Sequence, residues 1–454
     1  MTKPIGVLRI ALLYAAGCAI GCGGDDVTND SPATDADASP HVDLQACPVM
    51  VNDKECDHDK RPIVFIHGNS SAGDSFSHPA QLFASNGYCA LRIRAIDYDA
   101  ITRGDDAANY AKVSEQLDKL LMELEARFGA EQVDLFAHAQ GASYAARYVA
   151  AHKDKFAHYV HIAGGVLLSN PGGVDTLCLS STGDRPVTCE TTKNVTFSND
   201  QLDHFAVCSS SEAFREMYGF LNDGAAPAYD TVQCGDPVVI EGRALAFGDN
   251  ERMAGGVVEV YELGTDPRQR GMPLTTLEIH DDGSVGPWTV HRGVAYEFKL
   301  LAKTGDGRPT RYVYFPPFKR SDRLLRFTFE SRNEAALATS RMANLSDATA
   351  ALWIRRKQGA FLAGRDQLMV NDFPAVNAED AMPRATITGL FVLDQNGDMQ
   401  SSGGSVIRET FVSGTDVYLQ TALPAFIDIS LNSNHLKVPN WPSQTGGLSI
   451  VWVD

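Results

Sequence analysis

The chain has 454 residues, 44% hydrophobic and 21% charged, which is enough length and apolar content for two or three packed domains and excludes disorder as the main state. Lys and Arg number 39 against 57 Asp and Glu, a formal charge of -18, which argues against a nucleic-acid partner held through its phosphates and for a solvated acidic surface.

Residues 1–22 are basic at Lys3 and Arg9, apolar from Ile10 to Ile20, and small just before a cysteine. That is the pattern of an export signal, too short to cross a bilayer as mature structure. Cys18 and Cys22 each follow small residues, and either resembles the lipobox of a bacterial lipoprotein precursor. Cys22 is favoured as the lipidated residue, because Gly23-Gly24-Asp25-Asp26 opens a polar tether over 23–45 with almost no large apolar residue to fold around. The expectation is an exported protein of the cell envelope, at the outer membrane or cell surface, bound to the membrane through an N-terminal lipid; ordinary cleavage to a free secreted protein is the alternative.

Export recasts the cysteines. With Cys18 lost and Cys22 lipidated, an oxidising compartment favours disulfides among the rest, and neither a CxxC pair nor a His/Cys cluster with zinc spacing occurs, so neither metal nor cofactor is expected. Proximity in sequence suggests Cys47 with Cys56, Cys178 with Cys189 and Cys208 with Cys234, leaving Cys89 a buried thiol; connectivity itself is not derivable from sequence.

From about residue 46 to 230 short apolar runs alternate with helical patterns, as in a parallel sheet buried on both faces. Strands are predicted at Ile63–Ile66, Cys89–Ala95, Val133–Ala137, Tyr159–Ala163 and Thr176–Ser181. Val113, Leu117, Leu120, Leu121, Leu124 and Phe128 recur at helical spacing, with Gly129 as a left-handed stop. A second helix opens at Ser209-Ser210-Ser211-Glu212, carries Phe214, Met217, Tyr218 and Leu221, and stops at Gly224. Beyond about Asp236 the period becomes two, with predicted strands at Val257–Leu263, Tyr296–Leu301, Arg311–Phe315, Ala351–Arg355 and Leu390–Leu393. A low-propensity stretch around Arg320–Asn333 divides this β-rich half into modules at 231–330 and 331–454. Asp394-Gln395-Asn396-Gly397-Asp398 reads as a hairpin turn rather than a calcium loop.

The chemistry gathers in the first half. Arg61–Ile66 runs into His67-Gly68-Asn69, where a sharp turn exposes a backbone N–H at Asn69. Val133–Ala137 runs into Ala137-His138-Ala139-Gln140-Gly141, which has the spacing of a G-x-S-x-G nucleophile elbow, with Ala replacing both the first Gly and the central Ser. The order of His67-Gly68, this elbow, Asp184 and His204, followed by a β-rich half, resembles the α/β-hydrolase fold, and more narrowly the two-domain lipases of the class 2 type. Phe83–Tyr88, Asp203-His204 with Cys208 after it, and Tyr312–Phe318 carry the same likeness. The fold class implied is α/β, a mostly parallel sheet with helices on both faces, then one or two sandwich-like β modules.

The resemblance implies a carboxylic-ester hydrolase for acyl esters. Carried over by position, it makes His204 the base, Asp184 the acid that orients it, Asn69 and Gln140 the oxyanion donors, and Ala139 the nucleophile position. The strand before offers only Ala163-Gly164-Gly165, without a carboxylate. A methyl group cannot attack a carbonyl. Loss of one triad member leaves roughly 10³-fold to 10⁴-fold acceleration over water, far below lipase turnover, while an oxyanion hole still binds an ester or carboxylate. The leading expectation is therefore an impaired binder of acyl-ester or fatty-acid-like ligands. Alternatives are an active esterase, through a rescue nucleophile such as Ser70, Ser71 or Ser143 or as the Ser-to-Ala variant of a working enzyme, and a purely structural surface lipoprotein. Asp184 could also be a turn residue paired with Arg185, and His204 a structural loop histidine.

Overall fold

In a computed structural model of the chain the described residues are 50–51, 56–100, 106–184, 188–264, 271–332, 345–376, 387–404, 407, 411–421 and 426–454. The expected signal, Cys22, the tether and Cys47 lie outside them.

The first half builds a six-stranded sheet from β1 (Ile63–Ile66), β2 (Ile93–Ile96), β3 (Val133–His138), β4 (Phe156–Ile162), β5 (Asp175–Ser181) and β6 (Lys193–Phe197). The order is β2-β1-β3-β4-β5-β6 and every pairing is parallel. Burial on both faces explains the unbroken apolar run of β1: Val64 and Ile66 enter one core, Ile63 and Phe65 the other. Helix α2 (Asp106–Phe128) supplies Val113, Leu117, Leu121 and Leu124 to the first core, as its spacing requires, and Gly129 follows at φ 66°. Helix α5 (Ser211–Leu221) supplies Phe214 and Met217 to the second, and the Ser210 hydroxyl caps it by accepting from the Ala213 N–H.

Two strand expectations need correction. The run predicted as Cys89–Ala95 is a strand only from Ile93, because Ala90–Arg92 is a 3-10 turn. Strand β6 was not foreseen: its burial alternates between exposed and half-buried at the sheet edge, so it lacks the apolar run that marked the others.

The second half is layered β structure. An eight-stranded sheet is flanked on one face by the three strands Val238–Ala246, Ser284–Val290 and Asp322–Phe329, and on the other by a four-stranded sheet that includes Phe426–Leu431 and Asn434–Pro439. Along Leu352–Arg355 the side chains alternate between the two cores, with Trp353 on the first side and Leu352 and Ile354 on the second. The division expected near residue 330 is not seen at the level of strands. Arg311–Tyr314 and Leu352–Arg355 both pair in parallel with Ser449–Trp452, so one sheet draws on both sides of that point. The supposed divider itself contains the strand Asp322–Phe329, whose charged Arg326 is buried and bonded rather than solvated. Nor is Asp394–Asp398 a hairpin turn: Gly389–Leu393 pairs in parallel with Val412–Asp416, and Asp394 closes the loop by accepting from the N–H groups of Gly397 and Met399.

Of the disulfides, Cys178–Cys189 forms as expected. Cys56 pairs with Cys89, not with Cys47, because the 56–60 segment lies along the residues that follow α1 (Ser77–Ser85), with the Asp57 N–H bonded to the Gly87 carbonyl. Cys208 is a buried free thiol in the short helix α4 (Ala206–Ser209), and Cys234 is disulfide-bonded elsewhere.

Candidate active site

The site lies where the parallel strands deliver their carboxyl ends, the usual place for ligands in an open α/β sheet. Strand β3 turns into helix α3 (Gln140–Ala151) through Ala139, which sits at φ 49° and ψ -118°, a conformation that L residues rarely hold. The strain is imposed by fixed neighbours. The Ala139 N–H donates to the Ile162 carbonyl, and the Ala142 N–H donates back to Ala139. A Cβ at Gly141 would lie 2.3 Å from the His67 carbonyl oxygen, and one at Gly68 would lie 3.0 Å from the Ala139 Cβ. Glycine at both positions lets the His-Gly loop and the elbow close on each other. The elbow is thus complete in backbone and lacks a hydroxyl.

Among the described residues, neither the Asn69 nor the Gln140 backbone N–H is bonded to a protein acceptor, and Gln140 begins a helix, where N–H groups are left over. The Asn69 loop is fixed from behind. Buried His67 stacks on Tyr98 and accepts the Tyr98 N–H at its Nε2, while Nδ1 faces the Gly68 carbonyl at 2.8 Å. Burial lowers the His67 pKa, which keeps the ring neutral for that pattern.

His204 and Asp184, which are 20 residues apart in the chain, meet at 2.6 Å between Nδ1 and Oδ1. Asp184 follows β5 and is fixed by the Ser181 N–H at 3.1 Å on its other oxygen. Its alternative partner, Arg185, lies outside the described residues. His204 follows β6. No serine hydroxyl among the described residues is bonded to it: Ser70 donates to Asn69, Ser71 is bonded to Ser75, and Ser143 is exposed on α3.

Three residues that the sequence reading gave no role hold this arrangement. His138, within the elbow, lies 2.8 Å from the His204 carbonyl through Nε2; burial first, then His204, pushes its pKa down to about 3, so it donates as a neutral ring. Buried Asp203 accepts from the Phe205 and Ala206 N–H groups and, from the β half, the Ala360 N–H at 3.0 Å. Asn250 donates to the carbonyls of Ser71 and Tyr98 and accepts from Arg326 at 2.7 Å, clamping the loop after Asn69 from the β half. His138 and Asp203 adjoin motif residues and could have been weighed; Asn250 acts across more than 150 residues and leaves no local signal.

Protein-family models match two parts of the chain. The family model for Lipase (class 2) matches residues 60–162, and that for the Lipase C-terminal domain matches 236–332. The chain is a lipase-like α/β-hydrolase with a C-terminal domain. The first match takes in the His67–Asn69 loop and the elbow of this lipase-like protein, and the second takes in Asn250 and Arg326. No curated protein matches it in sequence. Among solved structures, the monoacylglycerol lipase of Paleococcus ferrophilus is 14% identical, over 37% of this chain and 97% of its own, at a TM-score of 0.28. An esterase from a Rhodococcus species is 14% identical, over 37% and 93%, at a TM-score of 0.28.

Proposed function

We propose that this lipase-like protein binds an acyl ester or fatty-acid-like small molecule at the elbow and does not turn it over as a lipase does. The observation that carries the reading is the combination at one site: an elbow strained at Ala139 without a nucleophile, beside a His204–Asp184 pair at 2.6 Å. Two free N–H donors at Asn69 and Gln140 can still hold a carbonyl or carboxylate oxygen, and His204 can direct water at a bound ester only slowly. A fluorescent long-chain fatty acid should bind the purified protein saturably and be displaced by a non-hydrolysable ester analogue. Replacing Ala139 with Trp should abolish that binding by filling the space above the elbow; unchanged binding would remove the ligand from this site.

We also propose that the protein is exported and held at the cell envelope by a lipid on Cys22. Residues 1–45 support this reading through the basic, apolar and small-residue order before Cys22 and the polar tether after it. Metabolic labelling with an alkyne fatty acid should mark the protein, and Cys22→Ser should release it unlabelled; labelling that survives the substitution contradicts the anchor.

A further inference from the structure

Beside the Asn69 loop lies a small open cleft lined by Asn69, Ser70, Asp74, Phe205, Arg355 and Trp452 among others. It adjoins the catalytic position, because the Phe205 ring meets His204 edge to face at 5.2 Å. Three cations line it, and two are neutralised. Arg356 pairs with Asp366 at 2.9 Å and Asp454 at 2.7 Å, and Lys357 pairs with Asp322 at 3.3 Å.

Arg355 is different. It is only 6% exposed, it forms no ion pair among the described residues, and its Nε and Nη1 are buried without a hydrogen-bond partner. Aromatic faces hold it instead: Trp452 at 4.5 Å, Trp353 at 4.6 Å and Phe247 at 5.4 Å from the guanidinium carbon. Burial first, then repulsion by Arg326, lowers its pKa to about 9, which leaves it charged at neutral pH. Asp74 attracts it only from beyond ion-pair distance. A buried guanidinium without a counter-charge costs several kcal/mol of lost hydration. Its planar fork matches two oxygens of a carboxylate or phosphate.

We propose that this cleft is a subsite for an anionic oxygen group, carboxylate or phosphate, received by Arg355 on the ligand whose acyl part lies at the oxyanion loop. What the anion is attached to rests on the acyl-ligand reading above; the anion subsite itself does not.

Titration calorimetry on the mature protein with dodecyl phosphate, methyl dodecanoate and inorganic phosphate separates the two. Dodecyl phosphate should bind at least about tenfold more tightly than methyl dodecanoate, the worth of one charge-assisted forked contact. Arg355→Met should erase that preference and leave methyl dodecanoate unchanged, with no fall in thermal midpoint, since an unpaired buried charge is replaced by apolar bulk. If Arg355→Met fails to fold, Arg355→Lys, which keeps the charge and loses the fork, should cut the preference several-fold. A preference undiminished in both variants, or none in the parent because Asp74 already satisfies Arg355 through water, overturns the subsite. Inorganic phosphate that displaces dodecyl phosphate, in an Arg355-dependent way, identifies a free-anion site; failure to displace it identifies the headgroup of an amphiphile. Dodecyl phosphate binding that depends on Arg355 while methyl dodecanoate does not bind leaves the subsite standing and overturns the acyl-ester reading.

Discussion

The elbow and the His204 loop meet in one site, yet they have kept different things. At the elbow the backbone is tightly specified, down to φ 49° at position 139 and the close approach that requires Gly141, while the side chain there is only a methyl group. At the loop it is polar side chains that meet, with His204 and Asp184 in contact and Asp203 and His138 bracing the turn. A strained backbone conformation is held by the sheet, the helix and the packing around them, so it needs no particular side chain at position 139. The contrast separates geometry from chemistry, and each can be attacked on its own.

The largest effect belongs to the loop. In an Ala139→Ser background, Asp184→Asn should lower ester hydrolysis by about 10³-fold to 10⁴-fold, through loss of the histidine's orientation. Steady-state rates with p-nitrophenyl butyrate measure this, and a drop of less than tenfold would mean that Asp184 only shapes a turn. Next is the elbow's close approach. Gly141→Ala should destabilise the protein by about 3 kcal/mol, near the upper end for overpacking, because the His67 carbonyl cannot give way without moving the oxyanion loop; urea unfolding would report it.

Acid tests the buried packing of the first half. His138 and His161 have folded pKa values of about 3 and about 4, lowered by burial from 6.5. Below pH 6.5 the unfolded chain takes up protons that the folded chain refuses, so the stability these rings contribute is complete above pH 6.5 and is lost as the pH falls toward 4. By pH 5 the loss should be about 2 kcal/mol per histidine, and His161→Phe should make the pH dependence shallower by one such step. The smallest effect returns to the elbow: Ala139→Gly should raise stability by about 1 kcal/mol, since glycine holds this backbone without strain and no hydroxyl is at stake.

Much of the first half was legible in the sequence because its signals are local. The run Ile63–Ile66 marked a strand buried on both faces, and Val113 to Phe128 marked a helix stripe. Small residues around position 139 gave the elbow, since only they allow its turn. The pairing of His204 with Asp184 came from the order of motifs, not from spacing. What stayed hidden was long-range or masked by charge. Cys89 joins Cys56 because of where the segment before the first strand lies, and Asp322–Phe329 looked like a divider because the stretch around Arg320–Asn333 has low strand propensity. The clamp from Arg326 through Asn250 to the oxyanion loop crosses between the two halves, and no pattern in either half announces it.

In the function proposed above, Ala139 alone separates this site from a working one. Hydrolysis of p-nitrophenyl esters from acetate to palmitate, by the parent protein beside its Ala139→Ser variant, tests it directly. The parent should run at or near the background rate and the variant faster by orders of magnitude. A parent that already hydrolyses esters well, or a folded variant that gains nothing, would contradict it.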